Sequence, residues 1–189
     1  MRTPSSESGL VYQLKITLLE VEPSIWRRLR VSASQTLETL HTVIQKAMGW
    51  QNTHLYEFEV RGRRYGVPEP DEPEYRVEPV WKITLWEAAS AESVSFWYVY
   101  DLGDNWAHGI VVERIETPDK PFRYPVCLAG ARRCPPEDCG GPGGYEALLG
   151  ALRNPDHPEH KEMVRWAGKR FDPEAFDLLA VNRKLRLLR

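Results

Sequence analysis

The sequence lacks a long apolar run, which excludes a helix able to span a membrane. Its opening stretch, "MRTPSSESG", has none of the apolar character of a secretory leader, so residues 1–10 are expected to be a disordered tail and the protein cytoplasmic. Cysteine is scarce: the 3 present cannot all pair with one another, which fits a reducing compartment. An excess of one charge is missing too. With 25 basic against 27 acidic residues and a net charge of -2, the whole molecule is no electrostatic trap for nucleic acid, and such binding would need a local patch. No internal repeat divides the 189 residues, so residues 11–189 are read as one domain. Aromatics are plentiful by contrast: 7 Trp and 8 Tyr supply large core pieces with polar tips.

Periodicity then sets the elements. "LVYQLKITLLEVEPSIWRRLRVSAS" alternates on both sides of Glu22-Pro23-Ser24 and predicts a hairpin. "TLETLHTVIQKAMGW" places Leu37, Leu40, Ile44 and Met48 at helical spacing, with Thr36 or Ser34 as cap and Gly49 as stop. "HLYEFEVRGRRYGV" is a second hairpin about Arg61-Gly62-Arg63. The order hairpin, helix, hairpin predicts an α+β fold in which one helix lies across a β-grasp-like mixed sheet over residues 11–117. Residues 68–79, "PEPDEPEYRVEP", hold too much proline to pair and are expected to be a mobile loop. A long strand pair over 94–101 and 107–116 belongs in the middle of the sheet. Residues 118–189 read as a loop followed by a helical cap, with helices over 144–153 and 158–167 and a third opening at Asp172-Pro173-Glu174.

Two constellations carry candidate chemistry. The first is the polar knot Asp101-Leu-Gly-Asp104-Asn-Trp106-Ala-His108, lodged between the two apolar strands. Its aspartates suit a turn in which they accept backbone N–H bonds, but carboxylates and an imidazole also coordinate metals or move protons near neutral pH. The second is Cys127, Cys134 and Cys139, spaced C-x6-C-x4-C and looser than the C-x2-C knuckles of most zinc sites. Three thiolates could take His108 as fourth ligand for zinc, or the thiols could simply be packed. The "CGGPGGY" that follows lacks the Lys and Ser/Thr of a Walker loop and leads into a helix at Tyr145. Among the other histidines, His41 sits on the first helix as a core-edge residue; His54 opens a strand and could face the same direction as the knot, but sequence does not place it; His157 and His160 flank Pro158 and with Asp156 could bind metal, though a helix-start loop explains them equally well, and they are left out of the site. "WRRLR", with Arg27, Arg28 and Arg30 beside Trp26, and the basic C-terminus "NRKLRLLR" pair cations with an aromatic, as a nucleic-acid surface does; solvated strand faces share that pattern.

Taken in order, "WRRLRV", "LHTVIQKAMGW", "HLYEFEV", "YDLGDNWAHGIVVE" and "YPVCLAGARRCPPEDCGGPGGYEALL" resemble the successive blocks of the plasmid pRiA4b ORF-3-like family, sometimes labelled TnpR-like passenger proteins of insertion elements. The resemblance spans about Tyr12 to about Phe176 and implies association with mobile elements. A serine recombinase would need an activated serine among several arginines and a DNA-reading helix pair. The serines here cluster at positions 5, 6 and 8 and at 90, 93 and 95, with no such arginines, so recombinase catalysis is rejected.

The functional expectation is therefore a non-enzymatic binding or accessory module that takes a protein or a small molecule. The alternatives are a metal-dependent, hydrolytic enzyme at the DLGDNWAH turn and the cysteine loop, and a weak nucleic-acid binder. The knot and the loop from Cys127 to Tyr145 are expected to converge on one concave site containing Asp101, Asp104, Trp106, His108, Glu137, Asp138 and Tyr145.

Overall fold

A computed structural model describes residues 9–69, 76–118 and 125–188. The tail expected over 1–10 falls almost entirely outside these residues. Strands β1 (Val11–Leu18) and β2 (Ile25–Ser32) form the first hairpin, antiparallel throughout. Alternation buries Tyr12, Leu14, Ile16 and Leu18 from β1 and Ile25, Leu29 and Val31 from β2 on one face. Helix α1 (Leu37–Met48) covers that face, burying Leu37, Leu40, Ile44 and Met48. The Thr36 hydroxyl accepts the Thr39 N–H to cap it, and Gly49, at φ 109, ends it in the left-handed conformation.

Strands β3 (Tyr56–Val60) and β4 (Arg63–Gly66) make the second hairpin. Strand β5 (Glu78–Pro79) then pairs parallel to β4, which corrects the expectation of an unpaired loop over 68–79: two residues suffice for one short edge pairing, where proline is tolerated. Residues 70–75 of that stretch lie outside the described residues. A short helix α2 (Leu85–Ala88), closed by a capping box between Thr84 and Glu87, leads to β6 (Ser95–Tyr100) and β7 (Trp106–Glu116). With β8 (Val126–Ala131), the order across the sheet is β5-β4-β3-β6-β7-β1-β2-β8. The α+β class is as expected, and β6 and β7 lie at the centre. The sheet is wider than the β-grasp-like arrangement and antiparallel except at β4–β5.

Three helices follow: α3 (Gly141–Arg153), α4 (His160–Ala167) and α5 (Leu178–Leu185). The last begins later than its sequence signal. Asp172 spends its carboxylate on the Glu174 N–H, making a turn, and Asp177 caps the helix through the Ala180 N–H. Asn182 of α5 closes the outer edge of β8, accepting the Cys127 N–H and donating to the Cys127 carbonyl, both at 2.9 Å.

The "WRRLR" strand splits its arginines between two faces. Arg28 pairs with Glu113 through two bonds of 2.6 and 2.8 Å, and Arg30 pairs with Glu116, both on the open face of the sheet. Arg27 points the other way into the core, donating to the carbonyls of Trp26, Ala47, Ala131 and Arg132 and stacking on Phe176. A Cβ at Gly130 would lie 2.6 Å from the Phe176 ring, so glycine there makes room for that stack. The three arginines thus do not present one phosphate-facing surface. Of the basic C-terminus, Leu185 is buried, Arg183 lies 3.8 Å from Asp177, and Arg189 is outside the described residues.

Leu40 is fully enclosed between α1 and the sheet. Leu40→Ala is expected to lower unfolding free energy by about 2–5 kcal/mol in urea titrations, as core truncations do; a change of a few tenths would contradict this packing.

Candidate functional site

The knot is first of all a turn. Asp101 sits at φ 56, and its Oδ1 accepts the N–H groups of Gly103 (3.0 Å) and Asp104 (3.2 Å), while its carbonyl accepts from Asn105. The side chain is nonetheless not used up, because Oδ2 faces His54 Nε2 at 3.5 Å. Asp104 reaches outward instead, its Oδ2 accepting the Gly140 N–H at 3.1 Å. Gly141, at φ 69, approaches so closely that a Cβ there would lie 2.5 Å from the Asp104 carbonyl oxygen. Knot and cysteine loop are therefore in direct backbone contact.

The loop contributes Glu137 and Asp138. Glu137 is largely enclosed; it accepts the Gln51 N–H at 2.6 Å and the Tyr100 hydroxyl at 3.1 and 3.2 Å. Tyr100 in turn accepts the Thr53 N–H, and burial raises its pKa. Asp138 is exposed, with its Oδ1 2.9 Å from His54 Nε2. His54, assigned to no site from sequence, is thus the residue on which Asp101, Glu137 and Asp138 converge. Its sequence signal was slight: a lone histidine in the polar link "QNTH" after a helix stop.

That link is held in place by a closed ring of hydrogen bonds. His41 Nε2 donates to Asn52 Oδ1 (2.6 Å), which leaves Nδ1 to accept from the Tyr98 hydroxyl (2.8 Å). Tyr98 accepts from Gln45 Nε2 (3.0 Å), and Gln45 Oε1 accepts the Asn52 N–H (2.9 Å). The His41 ring also stacks flat on Tyr56, with centroids 3.4 Å apart. Burial pushes its pKa down to about 4, although the Asn52 bond acts in the opposite sense.

Other expected site residues lie inside the fold. His108 falls on the core face of β7 with Trp106 and Ile110, fully buried; its Nδ1 faces the Tyr98 carbonyl, and burial lowers its pKa to about 4. Trp106 is fully buried and packs beside Trp50, ring centroids 5.5 Å apart. Tyr145 is buried at the start of α3. Cys127 and Cys134 are buried, Cys139 is half-buried, and all three are free thiols. Burial raises Cys127 to about 11 and Cys139 to about 12, and Cys134 further still. Among the described residues, the group of metal-capable side chains is His54, Asp101 and Asp138; His108 and the cysteines form no such group. The expected zinc set is therefore not gathered as one donor group: His108 is buried between Tyr98 and Trp106 on the core face of the sheet.

Beside the carboxylates lies a cavity of about 640 Å³. The link after α1, the loop over 133–138 and helices α4 and α5 line this open cleft, and its walls include Trp50, Glu137, Trp166, Phe176 and Lys184. Glu137 and Asp138 belong to both the cavity and the His54 group.

The family model described as "Plasmid pRiA4b ORF-3-like protein" matches residues 10–180. The chain is 38% identical over 174 residues to "Uncharacterized protein y4hQ" of Sinorhizobium fredii, covering 92% of this chain and 89% of that protein. It is also similar to the crystal structure of a protein of unknown function, MM3350, from Methanosarcina mazei Go1. That likeness has a TM-score of 0.81 and 36% identity, and covers 90% of this chain and 96% of the other.

Two measurable consequences follow from this geometry. Gly141→Ala should destabilise the protein by about 2 kcal/mol or more, through both a positive φ and a backbone clash. Gly143→Ala, two residues on and facing open space, should be neutral or stabilise by up to about 1 kcal/mol in the same urea titrations.

The two buried imidazoles also set a pH dependence. Their folded pKa values of about 4 lie below the unfolded 6.5, so the unfolded chain binds more protons between those limits. The stability they contribute is complete above pH 6.5. It should be lost as pH falls toward 4, by on the order of 3 kcal/mol per imidazole. Imidazole NMR titration should show both rings neutral at pH 6, and a midpoint near 6.5 for either would contradict their placement.

Proposed function

The chain belongs to the plasmid pRiA4b ORF-3-like family, and we propose that it is a cytoplasmic, non-enzymatic binding module that takes a small amphipathic ligand in the cavity beside Glu137. The observation that carries this reading is the cavity itself. Its volume of about 640 Å³ suits a small organic molecule, and its lining combines the aromatics Trp50, Trp166 and Phe176 with the charged groups Glu137 and Lys184. The thiol on its wall, Cys134, is pushed far above the ordinary cysteine range by burial, which makes it a poor nucleophile. An accessory role on mobile elements is part of the same proposal and is supported by the family's plasmid origin. The nucleic-acid alternative draws less support, since Arg28 and Arg30 are paired to glutamates and Arg27 is committed to backbone carbonyls.

Native mass spectrometry of the protein purified from cells, together with thermal-shift screening of small amphipathic compounds, tests the proposal. Ligands should shift Trp fluorescence, because Trp50 and Trp166 line the cavity. Ala180→Trp, which fills it from α5, should abolish both the fluorescence change and the thermal stabilisation. Ligands that bind this variant as well as the parent would place recognition elsewhere and defeat the reading.

A further inference from the structure

We propose that His54, Asp101 and Asp138 bind one divalent first-row transition-metal ion, with Glu137 as an outer partner. Three segments distant in sequence supply the donors: the link after α1, the turn between β6 and β7, and the cysteine loop. One donor atom from each of His54, Asp101 and Asp138 lies within 4.8 Å of the other two. His54 Nε2 is the focus, with Asp138 Oδ1 at 2.9 Å, Asp101 Oδ2 at 3.5 Å and Glu137 Oε2 at 4.0 Å.

The contacts among these groups do not satisfy them. Nε2 is sealed from solvent yet has no hydrogen-bond partner among the described residues. The Asp138 oxygen, despite its closeness, lies off the direction of a ring N–H. The Asp101 side chain is only 10% exposed, and with Oδ1 committed to two backbone N–H groups its Oδ2 is aimed into the gap. The Glu137 side chain is 8% exposed and is oriented by Tyr100 and Gln51. Among the described residues, no lysine or arginine pairs with any of the three carboxylates. Carboxylates gathered around one imidazole nitrogen without a basic side chain create a local negative potential that a cation between them would neutralise.

Donor chemistry narrows the ion. One imidazole nitrogen with two or three carboxylate oxygens and no thiolate suits Mn²⁺, Fe²⁺, Co²⁺ or Zn²⁺, whereas Mg²⁺ and Ca²⁺ favour oxygen alone and Cu⁺ favours sulfur. Tyr100 and Gln51 then serve as supports that hold Glu137 at the outer position, and Gly103 and Asp104 hold Asp101. The site stands on the rim of the cavity but does not require its ligand.

The test is titration of the chelator-dialysed full-length protein with Mn²⁺, followed by loss of the free-ion EPR signal, and with Zn²⁺ by calorimetry, both without any organic ligand. One equivalent of each should bind, with thermal stabilisation. Asp138→Asn, an exposed change that leaves folding intact, and His54→Gln should each weaken binding roughly tenfold or more with near-UV circular dichroism unchanged. Ala180→Trp should leave metal binding as it is, so failure of the cavity reading and failure of this one are told apart. Absence of saturable binding tighter than about 1 mM would overturn the proposal. So would undiminished affinity in both His54→Gln and Asp138→Asn, or Zn²⁺ binding that survives these changes and is lost in Cys139→Ser.

Discussion

The hydrogen-bonded ring of His41, Tyr98, Gln45 and Asn52 is the constraint on which the rest of this site depends. It joins the inner face of α1 to the central strand β6 and ends on the backbone of the link that follows the helix. Each member both gives and receives, so no polar group in the ring is left over inside the core. Asn52 takes a positive φ of 60, and Thr53 is tied to Tyr100 immediately after it. The link thereby presents the Gln51 N–H and the His54 ring toward the loop over 133–138. A neutral His41 is integral to this arrangement: only the neutral ring can donate from one nitrogen and accept at the other.

A second constraint acts from the opposite side. Gly140 and Gly141 have φ values of 87 and 69, and the close approach to Asp104 leaves no room for a side chain at Gly141. A Cβ at Gly144 would collide with the Cys139 carbonyl oxygen. The glycines of "CGGPGGY" therefore mark a backbone-to-backbone contact. A third joint, Arg27 stacked on Phe176 over Gly130, fixes the segment before α5 against the sheet. Between these joints the cavity keeps its walls.

The regular elements were legible because each carries its own pattern. The α1 stripe from Leu37 to Met48 with Thr36 and Gly49 at its ends, and the two long central strands, needed no tertiary information. Misreadings arose where one side chain serves a distant partner. Alternation along β2 sends Arg27 to the face opposite Arg28, but a run of arginines does not say which register the core selects. His108 follows the knot in sequence, but it is fully buried beside Trp106, whereas Asp101 keeps one oxygen facing His54. The start at Asp172 failed because proline and acid suit a turn as well as a first helical turn, and only Asp177 has the geometry of a cap. His54 was illegible for a different reason: it has neither periodicity nor a motif, and its place follows from Asn52, whose conformation is set by contacts with α1 and β6.

Asp101 shows why a turn and a site need not be rival descriptions. One of its oxygens is spent on the backbone of the turn, and that expenditure fixes the direction of the other. A carboxylate free to rotate would lose side-chain entropy on engaging a ligand, whereas here that cost is met when the chain folds. The same logic applies to Glu137, held by Tyr100 and Gln51, but not to Asp138, which is exposed and has no such anchor. The His54 cluster therefore has a rigid side, Asp101 in the β6–β7 turn and Glu137 tied to Tyr100 and the α1 link, and one adaptable donor, Asp138. A ligand in the cavity meets the fixed Glu137 and the adaptable Asp138 together, and its affinity depends on how well the fixed group has been placed beforehand.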